Sequence, residues 1–178
     1  MDIFSRHIVG YRAEEREADH LAVDMFETAI AQHGAPKIIH ADSGPSMKTN
    51  LLREVLTAHD VEISHNRRYL SNDNPFSDSG FRTMKYRPAY PRIFRTVETA
   101  RAYIDEYLPW YNTAHKHSGI ALFSPSQVHD GSWVDVWDVR DAALQSYYRK
   151  NPARFRRRPV TPSPADHVGI NLPEKDLA

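Results

Sequence analysis

Apolar and polar positions alternate along this chain with two different periods. Ala18, Leu21, Ala22, Met25, Phe26, Ala29 and Ile30 recur at helical spacing and predict an amphipathic helix over 17–33, closed by Gly34 and Pro36. Leu51, Leu52, Val55 and Leu56 mark a second helix. Val97, Ala100, Tyr103, Ile104, Tyr107, Leu108 and Tyr111 form the stripe of a long one that starts after Thr96. Ser124-Pro125-Ser126-Gln127 has the form of a capping box with proline in the first helical position, and 134–148 is a further helix. Short strands are expected around Ile3, Phe4, Ile8, Val9 and Tyr11, over 37–41, and over 61–64. Residues 66–74 are polar, basic and without period. Pro75 then opens a helix through Lys85, and from Arg149 onward the chain is basic, proline-rich and expected to have little structure of its own. Strands followed by helices in this order predict an α/β sheet succeeded by a helical region, with polar loops at the strand ends as the place for a site.

Composition changes this picture little. The 178 residues are 40% hydrophobic and 26% charged, with mean hydropathy −0.62, as in many globular domains. Without cysteine there is no disulfide framework, thiolate metal site or thiol nucleophile, which fits a cytoplasmic protein. No apolar run reaches the roughly 20 residues of a membrane span, and MDIFSRHIVGY lacks the layout of a signal peptide. Charge changes the picture more. The chain is neutral overall, yet residues 1–65 carry 6 Lys/Arg against 11 Asp/Glu, and residues 66–101 carry 8 against 3. A basic block directly after an acidic one can build a positive surface beside a carboxylate site, although solvated surface charge explains it equally well.

Two carboxylates have the placement that phosphodiester chemistry needs. Asp42 ends a short apolar strand and precedes Ser43-Gly44; Asp78 lies on the helix opened by Pro75, and 35 residues separate the two. Two-metal catalysis uses hard oxygen ligands brought from separate elements, with the ions about 3.5–4 Å apart. Taken singly, an Asp before Ser-Gly is more often a turn residue and a helical Asp more often a surface one.

The surrounding words carry more weight. DIFSRHIVGY (2–11), IIHADSGPSM (38–47), SNDNPFSDSGFRTMKYRPAYP (71–91) and YNTAHKHSGIALFSPSQVHDG (111–131) occur in one order, with NPARF (151–155) and NLPEK (171–175) after them. They resemble insertion-sequence transposases whose catalytic domain looks like the retroviral integrase core. The resemblance implies a ribonuclease-H-like mixed sheet with flanking helices, and a DDE triad that binds two Mg²⁺ or Mn²⁺ ions. It implies cleavage and joining of DNA through attack by water or a 3′ hydroxyl. His40-Ala41-Asp42-Ser43-Gly44 matches the family's second aspartate, and Asn72-Asp73-Asn74-Pro75-Phe76-Ser77-Asp78 matches the word of its third carboxylate.

Two departures follow. Asp78 stands where the family has Glu, so its carboxylate is one methylene short, about 1.5 Å on a site that tolerates about 0.5 Å, and impaired activity is expected. The family's first aspartate belongs to a central strand immediately upstream of the words that open this sequence. Asp2 matches a non-catalytic aspartate of the second strand instead. Residues 1–178 are therefore expected to lack the first strand and to have little or no catalysis alone.

On that reading Arg67, Arg68, Arg82, Lys85 and Arg87 surround Asp78 and are the natural DNA-phosphate contacts. His40, His115 and His117 could lie near the metal site or a phosphate, but helix-end or surface histidines are the commoner case. The tyrosines and Trp110 within 103–111 read as core packing, and the basic tail from Arg149 as either nucleic-acid contact or solvated charge. The expected division is an incomplete integrase-like core over 1–118, a helical extension over 119–150 and a tail over 151–178. The expected partners are transposon-end and target DNA and a second copy of the chain, with no small-molecule cofactor. A non-catalytic DNA-binding remnant of a transposase is the alternative.

Overall fold

The computed structural model describes residues 1–67 and 74–170, and the chain divides into two units. The first holds Met1, residues 8–107 and Ile170; the second holds residues 2–7 and 108–169.

In the first unit the elements are α1 (Asp19–His33), β1 (Ile38–Ala41), α2 (Asn50–Ala58), β2 (Glu62–His65) and α3 (Pro75–Lys85), and α4 (Val97–Thr113) begins there. β1 and β2 pair in parallel with Ile38 opposite Glu62 and Ala41 opposite His65. Parallel neighbours need a crossover rather than a hairpin, and α2 supplies it. Thr49 starts α2 by accepting a hydrogen bond from Leu52 N at 3.2 Å. The helix then buries Leu52 and Leu56, which pack with Val23 and Val61 into a small core completed by Phe26, Ile30, Ile39, Met47, Val55 and Ile63. One stripe of α1, one stripe of α2 and one side of the strand pair therefore close on each other, as their sequence periods require. Tyr90, Phe94, Tyr103 and Tyr107 form a second apolar contact chain, with neighbouring ring centroids 5.5 to 6.1 Å apart. The packing role expected of these tyrosines is what they have.

The second unit contains α5 (Pro125–His129) and α6 (Trp133–Lys150). Its core is Ile120, Phe123 and Val128, packed by Phe4, Trp133, Val136 and Trp137. The capping box is present as read: Ser124 Oγ accepts from Gln127 N, and Gln127 Oε1 accepts from Ser124 N at 3.0 Å. Ala121 and Leu122 both have left-handed backbone, at φ 55° and 60°. Arg140 grips them from α6, donating to the Ala121 and Leu122 carbonyls at 3.0 Å each while its guanidinium lies 4.1 Å from the Phe123 ring centre.

Two expectations need correction. Among the described residues the sheet is a parallel pair and not a larger mixed sheet. Residues 3–11 form no strand; residues 3–5 are a turn, and the backbone closes locally, Asp2 N donating to His7 O at 2.8 Å and Arg6 N to Asp2 O at 2.9 Å. An Ile-Phe pair has strand propensity, but a strand exists only where a ladder partner satisfies its backbone, and here the turn satisfies it instead. Among the described residues after Arg149 the chain has a single 3₁₀ turn, at Pro152–Arg154, in keeping with little structure of its own, and it is fastened along α6. Trp137 donates to Thr161 O at 3.3 Å, Gln145 to Pro159 O at 3.1 Å, and Thr161 to Asp141 at 2.7 Å. Composition could not show this because the partners lie on a helix some twenty residues away.

Candidate functional site

The carboxyl ends of parallel strands are where α/β sheets expose functional loops, because there the chain leaves the ladder with unpaired backbone groups. Asp42 is the first residue beyond β1 and is exposed. Its carboxylate accepts a hydrogen bond from Gly44 N at 3.0 Å, an Asx turn that fixes the side chain over the following loop. A Cβ on Gly44 would lie 3.0 Å from Asp42 Oδ1 and 3.6 Å from Glu17 Oε1. A side chain there would crowd the Asp42 carboxylate and push it aside by a few tenths of an ångström. Glu17 holds the far side of the same loop by accepting from Ser46 N at 3.3 Å.

β2 contributes from the other side. The ladder continues one step past the strands, with Asn66 N donating to Ala41 O at 3.2 Å. Beyond it, His65 Nδ1 lies 2.9 Å from the Asp42 carbonyl oxygen. A carbonyl only accepts, so Nδ1 carries the proton. His40 links the strand ends: its Nε2 is 2.8 Å from Asn66 Oδ1 and its Nδ1 3.0 Å from Ser64 Oγ. Both ring nitrogens are engaged in this cross-strand network, which answers the expectation of a site histidine with a tying role. Pattern alone pointed to Asp42 and His40; His65, Ser64, Asn66 and Glu17 became visible only through strand register, and no motif marked them.

Asp78 stands in the first turn of α3 and is exposed. An acidic side chain there is favoured by the unpaired N–H groups of a helix start. Among the described residues, no three His, Cys, Asp or Glu side chains gather closely enough to hold a metal ion. Carboxylates such as those of Asp42 and Asp78 are hard oxygen donors, the type Mg²⁺ and Mn²⁺ take, commonly one or two together with water and substrate phosphate. Asp2, by contrast, is occupied in the second unit. Its carboxylate accepts from Phe4 N and Ser5 N at 3.1 Å each and from the buried Ser5 hydroxyl, with His129 Nδ1 3.5 Å away. Burial raises its pKa, but these bonds outweigh burial and hold it below the ordinary aspartate range.

The basic residues are placed unequally. Arg67, Arg82 and Lys85 are exposed, Arg82 lying over the Tyr86 ring at 5.6 Å. Arg87 is half-buried, 3.8 Å from Glu106 and 6.0 Å from the Tyr107 ring centre. Arg68, like Asn72 and Asp73 of the third-carboxylate word, lies outside the described residues. His115 stacks on Tyr111 at 5.3 Å, and His117 meets it edge-on at 5.7 Å. Burial lowers the pKa of both, which favours the neutral form of each ring.

Residues 1–71 and 59–125 each match the integrase core domain. The transposase for insertion sequence element IS904 of Lactococcus lactis subsp. lactis (strain IL1403) is 31% identical over 128 residues, 70% of this chain and 51% of that protein. Transposase InsF for insertion sequence IS3A of Escherichia coli (strain K12) is 26% identical over 130 residues, 71% of this chain and 45% of that protein. A solved structure, the simian T-cell lymphotropic virus intasome in complex with PP2A regulatory subunit B56 gamma, superposes with TM-score 0.53 at 18% identity, over 65% of this chain and 41% of that one. The chain belongs to the integrase core domain family in the form found in insertion-sequence transposases. It spans about half the length of these curated relatives.

Proposed function

We propose that this chain is the integrase-core part of a bacterial insertion-sequence transposase, of ribonuclease-H-like fold, acting on DNA by metal-dependent phosphodiester cleavage and strand transfer. The observation that carries the reading is Asp42: a carboxylate oriented by Gly44 N–H at the carboxyl end of a parallel strand, separated by 35 residues from Asp78 at a helix start, within matches to the integrase core. Asp42 and Asp78 would hold Mg²⁺ or Mn²⁺, which when bound activates the attacking hydroxyl and stabilises the leaving oxygen. A third carboxylate is needed beside them. Exposed Arg67, Arg82 and Lys85 would take DNA phosphates, while Arg87, engaged by Glu106 and Tyr107, is assigned to packing. Joining two transposon ends also calls for a second copy of the chain.

A second reading has its own support, since no three-ligand cluster exists among the described residues: a DNA-binding module without catalysis. Mn²⁺ titration and DNA binding separate the two. On the first reading Asp42→Ala removes Mn²⁺ binding but leaves DNA affinity within about twofold. Arg82→Ala weakens DNA binding on either reading and lowers the slope of log K against log salt by about 1. Mn²⁺ binding that is absent, or unchanged in Asp42→Ala, eliminates the metal-dependent reading and leaves the binding module.

A further inference from the structure

The loop that carries Asp42 has more holding it than its Asx turn. Residues 42 to 47 leave β1 just past the backbone bond from Asn66 N to Ala41 O, and among the described residues the Asp42 carbonyl has no backbone donor. His65 supplies one from its side chain. It stands opposite Ala41 in the register, one position before the last backbone rung, and its Nδ1 reaches the Asp42 oxygen at 2.9 Å. The imidazole thus ties the two strand ends together by a side-chain hydrogen bond just past the Asn66 N to Ala41 O backbone bond. That bond touches the very residue whose carboxylate must be aimed.

We propose that His65 is a positioning residue for Asp42. Its Nδ1–H holds the Asp42 carbonyl, and with Gly44 N–H on the carboxylate it fixes both ends of that residue at the strand terminus. The inference deepens the metal-binding reading of Asp42 and rests on it for its consequence, though not for its geometry. The chemistry is specific. Only the tautomer protonated on Nδ1 makes the bond, and it leaves Nε2 as an acceptor. Of the amide replacements, asparagine carries a donor near the Nδ1 position, whereas glutamine carries one near Nε2. A residue that merely filled space at the strand end would tolerate leucine.

The first measurement needs no substitution: imidazole nitrogen shifts of the isotope-labelled chain at neutral pH should give His65 the Nδ1–H form. The Nε2–H form, the commoner one for free histidine, would overturn the proposal. The second is amide exchange. His65→Leu should speed exchange at Gly44 and Ser46 by about threefold to tenfold, the worth of one ordinary hydrogen bond, and leave Leu56 in α2 unchanged. His65→Asn should restore the slow rate and His65→Gln should not. Equal rates in His65→Leu and the parent chain overturn the proposal, as does a failure of His65→Asn to restore them. If His65→Leu does not fold, the tautomer decides alone. The third is Mn²⁺ affinity, expected to fall several-fold in His65→Leu and return in His65→Asn; an affinity unmoved by leucine also counts against positioning. If the parent chain binds no Mn²⁺ at all, the metal reading of Asp42 fails, and tautomer and exchange still decide the role of His65.

Discussion

At residue scale, the same side-chain type does different work according to what its oxygens meet. Asp2 and Asp42 both follow the pattern of an aspartate capping backbone N–H groups within three residues. Asp2 is saturated by Phe4 N, Ser5 N and the Ser5 hydroxyl, whereas Asp42 is exposed and accepts from Gly44 N. Asp2 therefore stabilises a turn, and its titration should be felt in stability. Its folded pKa lies below the unfolded value of about 3.9, so the folded state favours the charged form. That contribution is present above about pH 4 and is lost as pH falls through the lowered folded value. Denaturant midpoints measured from pH 6 down to pH 2 should decline below about pH 4, and Asp2→Ala should flatten the decline while costing about 1–2 kcal/mol at neutral pH. Arg140 offers a second residue-scale test. Two successive left-handed residues without glycine cost of order 1 kcal/mol each, and Arg140 holds both of their carbonyls. Arg140→Met should destabilise by about 1–3 kcal/mol, and Leu122→Gly in the same chain should recover part of the loss, a coupling readable in a double-mutant cycle.

At the scale of elements, the helices and the strands over 37–41 and 61–64 were legible, and the strand expected around Ile3 to Tyr11 was not. α5 is the clearest case: Ser124, Pro125 and Gln127 spell a start signal whose reciprocal hydrogen bonds are local, so three residues of sequence contain the whole interaction. Ser124→Ala should cost about 1 kcal/mol, or somewhat more given that Ser124 is buried, measurable as a lowered midpoint in urea. α1, α2, α3, α4 and α6 were likewise foreseen to within a few residues at their ends, because an amphipathic stripe repeats several times along each. The residues around Ile3 to Tyr11 show the limit. Their composition suits a strand, but pairing is a property of two segments, and a turn held by Asp2 took the first of them. The tail has little regular structure, as its proline-rich composition indicates, but composition could not show the fastening of Pro159 and Thr161 to α6.

At the scale of the molecule, two separate apolar clusters support two units. In the first, Leu56 is wholly buried at the centre of α2, facing Val23 and Val61. Removing its side chain leaves a cavity and loses about 2–5 kcal/mol, and because α2 is the crossover between β1 and β2, the strand ends that carry Asp42 and His65 should loosen with it. Calorimetry of Leu56→Ala should show a lowered transition, and Mn²⁺ binding, if Asp42 is its ligand, should weaken in the same variant. A lowered transition with unaltered Mn²⁺ affinity would separate the site from the core.

The sequence by itself determined the helices, the α5 cap, the strands that became β1 and β2, and the two carboxylates with their spacing, together with the words that mark an integrase core. Each of these is written in residues close together in the chain, or in a pattern long enough to be matched as a whole. Only the tertiary structure decided the parallel register that sets His65 beside Asp42, the pinning of the Asp42 loop by Glu17, and the inward turn of Arg87. The reason is physical. Register and burial depend on which segments meet, and the free energy of such a meeting is shared between residues that sequence spacing alone does not relate.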